Sequence, residues 1–225
     1  LMRCLLFASL CVSIASVGSA QETKKEPPKD PFAQWDKSIA AFEKQDEAKP
    51  PPKNAILFAG SSSIVRWKLS DWFKDMDVIN RGFGGSRIAD SVHFATRIIT
   101  KHQPRIVVFY AGDNDIASGL TPEKVAADFQ ALSEIIHKES PKTQIIFVSI
   151  KPSPSRWKHR EKQNQANALI EAFCKKDERR RYLDVGKAML GEDGMPRDEL
   201  FVADKLHMSD AGYRVWTSLL TPMLK

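Results

Sequence analysis

The sequence predicts an α/β protein, a three-layer α/β/α sandwich around a mostly parallel sheet of about five strands. Two observations carry this. From Ala55 onward short apolar runs alternate with helical patterns; Arg105–Ala111 contains the unbroken apolar run Ile-Val-Val-Phe-Tyr, and Gln144–Ile150 reads as another buried strand. A strand that is apolar at every position has both faces buried, which is the condition of a parallel sheet covered by helices. Right-handed crossovers then bring every strand's carboxyl end to one edge.

The 225 residues suit one domain with attachments. Residues 1–20 read as an export signal: Arg3 is the positive start, Leu5–Val17 the apolar centre, and Gly18-Ser19-Ala20 the small residues before cleavage. Cys4 and Cys11 would leave with it, so the mature chain keeps only Cys174, expected as a buried inert thiol. Export without an internal disulfide points to a bacterial periplasm or exterior, and no further run is expected to insert into a membrane. The formal charge of +6 is modest, and no basic stripe interleaved with aromatics calls for nucleic acid.

Residues 21–30 are polar and read as a tether. Residues 31–46 place Phe32, Trp35, Ile39 and Phe42 at helical spacing, one amphipathic helix at the start of a domain expected to span 31–225. Lys49-Pro50-Pro51-Pro52 stops it. The Ala55 strand ends at Gly60 and three serines, which suits a turn into a helix whose free N–H groups face a ligand. Asp77–Asn80 is a short strand, followed by the glycine loop Gly82-Phe83-Gly84-Gly85. Ile88–Thr100 is helical, and Thr121-Pro122 caps a helix with Val125, Phe129, Leu132 and Ile136 on one face. A helix over Lys158–Lys176, a strand over Arg181–Val185 and a terminal helix capped by Ser209 complete the pattern.

The loops expected on the carboxyl edge hold Ser61/Ser62/Ser63, Gly85, Gly112-Asp113-Asn114-Asp115 and Asp204-Lys205-Leu206-His207. Acyl transfer needs a nucleophile, a base, a group that orients the base, and oxyanion donors, and these loops supply all four. Asp90-Ser91-Val92-His93 repeats the Asp-x-x-His spacing but falls inside a helix, where a local surface pair is expected. His102, His137 and His159 are expected to be solvated, and Asp113 and Asp115 to cap their loop.

In these blocks the chain resembles the GDSL, or SGNH, hydrolase family. Gly60-Ser61-Ser62 stands where the family name has Gly-Asp-Ser, followed in order by Gly82–Gly85, Gly112–Asp115 and Asp204–His207, from about Ala55 to the C-terminus. The resemblance implies the flavodoxin-like SGNH hydrolase fold of the single-domain acetylhydrolase and esterase type. It implies Ser62 as nucleophile, His207 as base and Asp204 as its orienter. The oxyanion hole would combine the N–H groups of Ser62 and Gly85 with the Asn114 side chain. Ser61 departs from the motif, and Ser63 is the other serine available. The implied reaction is hydrolysis of a short acyl ester, acetyl above all, on a carbohydrate or small molecule, with no cofactor and no metal. The alternatives are a lipase- or lysophospholipase-like hydrolase and a non-catalytic glycan-binding protein on the same scaffold. For substrate contact the sequence offers Arg87, Trp67 as a wall of an acyl pocket, and Arg156.

Overall fold

The computed structural model describes residues 30–225, and Pro31–Lys225 forms one compact unit. The export signal expected at 1–20 and all of the tether except Asp30 lie outside the described residues.

Five strands form the sheet: β1 (Ile56–Gly60), β2 (Val78–Gly82), β3 (Ile106–Tyr110), β4 (Gln144–Val148) and β5 (Arg180–Leu183). Their order is β2-β1-β3-β4-β5 and every neighbouring pair is parallel. Successive side chains on a strand point to opposite faces, so each apolar run feeds two cores. Leu57, Ala59, Val107, Phe109, Ile145 and Phe147 face one side. They meet α4 (Ile88–Ile98), α6 (Pro122–Glu139) and α7 (Arg160–Cys174) through Phe94, Phe129, Leu132 and Ile170. Ile56, Phe58, Val108, Tyr110 and Ile146 face the other side. There α2 (Ser62–Val65), α3 (Leu69–Trp72), α8 (Gly186–Met189) and α9 (Asp210–Leu220) cover them with Ile64, Leu69, Met189 and Trp216. One further short helix, α5 (Asp113–Ala117), lies at the carboxyl rim.

The N-terminal segment is a 3₁₀ turn over Ala33–Trp35 leading into α1 (Asp36–Ala48). A single residue of α1, Ile39, is fully buried. Charge fastens the rest. Arg97 reaches Glu43 through two hydrogen bonds of 2.8 Å. Asp46 pairs with Arg81 and, at 2.7 Å, with Lys101. His102 is not the solvated side chain expected. Its imidazole is 5% exposed and 3.5 Å from Asp46, and burial with Arg81 nearby pushes its pKa down to about 4.

At the centre the chain leaves β1 for β2 on one side and returns to β3 on the other. The loops after β1 and β3 part at that reversal and leave a crevice at the carboxyl edge, where ligands bind in open sheets of this order.

Candidate active site

The loops at that crevice are tied to one another. Gly60 has φ +131°, and a Cβ there would fall 1.9 Å from the Tyr110 carbonyl oxygen, so only glycine fits between the strand ends. The Ser61 N–H donates to that carbonyl at 3.0 Å, and the Phe83 N–H donates to the Gly60 carbonyl at 2.9 Å. These bonds fix where the first turn of α2 starts. Ser61 and Ser63 are buried, whereas Ser62, the first residue of α2, is half-buried. Of the three serines it is Ser62 whose Oγ meets the imidazole of His207, 3.0 Å from Nε2.

The imidazole is held by its own loop. Lys205 adopts the left-handed conformation (φ +56°), uncommon for a residue with a Cβ, and it turns Asp204 and His207 towards the same side. Asp204 Oδ2 lies 2.6 Å from His207 Nδ1, and Oδ1 accepts the N–H groups of Leu206 and His207 at 2.9 and 2.8 Å. Burial acts upward on the Asp204 carboxyl, but these hydrogen bonds together outweigh it and hold the group below the usual carboxylate range. An ionised carboxylate only accepts, so Nδ1 carries the proton and Nε2 is left as an acceptor facing Ser62.

Opposite stands Asn114. Its Nδ2 donates to the Ser86 carbonyl at 3.1 Å, which orients the amide and leaves its second N–H free for a ligand. Gly85 has φ +82° and is exposed. The carboxylates expected to cap a loop here instead lie in α5 and anchor it. Asp115 accepts the Ile88 N–H at 3.0 Å, and burial pushes its pKa up to about 6. Asp113 accepts from Gln163 at 3.1 Å and lies 3.5 Å from Lys151 Nζ, which also donates to the Tyr110 hydroxyl at 3.1 Å. Lys151 is fully buried, and its charge is kept by Tyr110 and Asp113 against the cost of burial.

A cleft of about 420 Å³ opens beside these donors, lined by Gly85, Asn114, Arg87, Asp90, Arg156 and Trp35 among others. Arg87 and Arg156 therefore come to one place. Trp67 does not. It is 1% exposed, packed on Phe58, Phe73, Tyr213 and Trp216 with its Nε1 3.3 Å from Thr217 Oγ1, so it belongs to the core and walls no pocket. The surface pair expected of Asp90 and His93 is also absent. Asp90 is buried and accepts the Arg87 N–H at 2.7 Å as a helix cap, and His93 stacks on Phe32 at 3.9 Å.

Sequence reasoning overlooked two residues here. The spacing of Trp35 marks it only as part of an amphipathic face, yet its Cη2 lies 3.5 Å from where a Cβ on Gly85 would be. Lys151 carries a visible signal, a cation three residues past the end of the apolar strand β4.

The family model of the GDSL-like lipase/acylhydrolase family matches residues 55–215. Human platelet-activating factor acetylhydrolase IB subunit alpha1 is 27% identical over 186 residues, covering 75% of this chain and 76% of its own. A solved GDSL-like lipase from Bacteroides thetaiotaomicron superposes with a TM-score of 0.69 at 20% identity, over 86% of this chain and 97% of that one. An acetyl-xylooligosaccharide esterase from Geobacillus Stearmophilus does so with a TM-score of 0.61 at 14% identity, over 76% and 94%. At such identities the two structures speak for the fold alone.

Proposed function

For a chain that belongs to the GDSL-like lipase/acylhydrolase family, and is thereby a hydrolase of ester bonds, we propose a Ser62–His207–Asp204 mechanism acting on a short acyl ester. The observation that carries this reading is the 3.0 Å contact of Ser62 Oγ with His207 Nε2, backed by the 2.6 Å contact of Nδ1 with Asp204. A serine hydroxyl is a poor nucleophile near neutral pH, so His207 takes its proton as the oxygen attacks the ester carbonyl. Asp204 keeps the tautomer and stabilises the imidazolium that forms. The negative charge on the tetrahedral oxygen falls to the N–H groups of Ser62 and Gly85 and to the free N–H of Asn114. Collapse expels the alcohol, which takes the proton from His207, and water then repeats the sequence on the acyl-enzyme.

Acetyl on a carbohydrate or other small alcohol is the substrate we favour. An acetylhydrolase among the sequence relatives supports it. Hydrolysis of p-nitrophenyl esters from acetate to octanoate, wild type beside Ser62→Ala, is the test. The expected result is a maximum at acetate that the variant loses. A maximum at long chains would instead favour a lipase-like substrate, and activity surviving in the variant would overturn Ser62 as nucleophile. Export of the chain is a further proposal, resting on the pattern of residues 1–20. Secreted protein beginning near Gln21 on N-terminal sequencing would support it, and retention of the full chain in the cytosol would overturn it.

A further inference from the structure

The cleft beside Asn114 is cationic, and little in the protein answers that charge. Arg87 and Arg156 both line it, and among the described residues the one acidic residue in its wall is Asp90. The Asp90 side chain is 2% exposed and is committed to the Arg87 N–H, while the Arg87 guanidinium stands 4.0 Å away and is 38% exposed. Among the described residues no carboxylate lies within 4.0 Å of the Arg156 guanidinium. Arg156 also opens the stretch Arg156–Lys162, in which Arg156, Lys158, Arg160 and Lys162 outnumber the one carboxylate, Glu161. Two guanidiniums beside the Asn114 amide, Arg87 loosely paired to a buried carboxylate and Arg156 to none within 4.0 Å, fit a planar anion, which they bind by paired N–H donors. Trp35 closes the same cleft with a flat aromatic edge.

We propose that this cleft is a subsite for a carboxylate-bearing ester, with Arg87 and Arg156 taking the carboxylate and Trp35 packing on the carbon frame that carries it. The inference rests on the reading of Ser62 and Asn114 given above, and it narrows the substrate from any short ester to an anionic one. A carboxylate in the alcohol part, as in an acetylated uronic acid, and one in the acyl part, as in a hemisuccinate, share this chemistry. Trp35 is contributed by a segment that precedes the matched family region at residues 55–215.

The test compares kcat/KM within matched pairs. One pair is methyl acetylglucuronoside against methyl acetylglucoside, and the other is p-nitrophenyl hemisuccinate against p-nitrophenyl butyrate. Wild type is expected to prefer the anionic member of one pair by about tenfold or more, and the pair that shows it identifies which part of the ester carries the charge. Arg156→Gln is expected to erase most of that ratio and Arg156→Glu to invert it. Added salt should lower the anionic member's kcat/KM more than the neutral one's. Ratios near one for both pairs in wild type, or ratios that Arg156→Gln leaves in place, would overturn the subsite. Equal loss of both members in Arg156→Gln would also overturn it, because that is the signature of help to the oxyanion. In each of these results, Ser62-dependent hydrolysis of the neutral ester leaves the proposed mechanism standing. Its own failure shows separately, as turnover that survives Ser62→Ala.

Discussion

The two sides of the crevice are built in opposite ways. On one side His207 and Asp204 sit in an exposed loop, and the contacts that orient the imidazole come from within the stretch Asp204–His207. On the other, Asn114 is carried by α5, where the flanking carboxylates are buried and tied to distant residues. Asp113 is held by Lys151 and Gln163, and Asp115 by the Ile88 N–H. The proposed chemistry accounts for the contrast. A base must exchange protons with water and shift slightly between attack and release, whereas oxyanion donors work best when already fixed in place. A local turn suffices for the first task. The second takes cross-links between secondary elements.

Substitutions on each side should therefore fail differently. His207→Ala should lower kcat by roughly 10⁴-fold or more while the urea midpoint stays near that of wild type, since the loop is exposed. A large loss of stability would break the comparison. Lys151→Met should act mainly on stability, by about 3–5 kcal/mol in urea unfolding, because it leaves the Asp113 carboxylate buried without its cation. Stability near wild type would show that the anchored side does not depend on this charge. Asn114→Ala should reduce kcat about 10²- to 10³-fold, the usual loss for one oxyanion donor. A rise in KM at constant kcat would show that the amide binds the ground state instead.

Asp115 gives the finest test, through pH. Its folded pKa lies near 6, above the unfolded value of 3.8, so the folded state holds the proton more tightly. The stabilisation is complete below the unfolded pKa and is lost as pH rises through about 6. Urea midpoints of wild type should fall across that window, by up to about 3 kcal/mol in stability. Asp115→Asn keeps an acceptor for Ile88 and should remove that slope. An unchanged slope would place the titration elsewhere.

The sheet was legible because burial on both faces leaves no room for polar residues, so β3 and β4 announced themselves as unbroken runs. The loops were legible for the converse reason, as polar and small residues right after apolar strands have little to do in packing. Trp67 defeated that logic. It follows the serine turn, but the chain turns again right after α2, where the Trp67 N–H donates to the Ile64 carbonyl, and places the ring in the core against Trp216. Trp35 was hidden by the opposite effect. Its spacing marks a helix face but not the surface that face meets, and the docking of α1 rests on Arg81, Arg97 and Lys101, remote in sequence. His102 escaped notice likewise, since Asp46 lies far back along the chain.

The loop bearing His207 is closed by one bridge between Phe201 and Met208, and it meets Ser62 across 145 positions of sequence. The Asp204–His207 pair therefore survives an opening of that loop, while the contact with Ser62 does not. Residues 202–207 between the bridge partners are exposed or half-buried, so their opening exposes little apolar surface and lies low on the ladder of local unfolding events, well beneath collapse of the sheet. On heating, turnover should decay before the sheet melts, with a midpoint several degrees below that of circular dichroism. The enzyme would then report its own earliest loosening, silent to every probe of secondary structure.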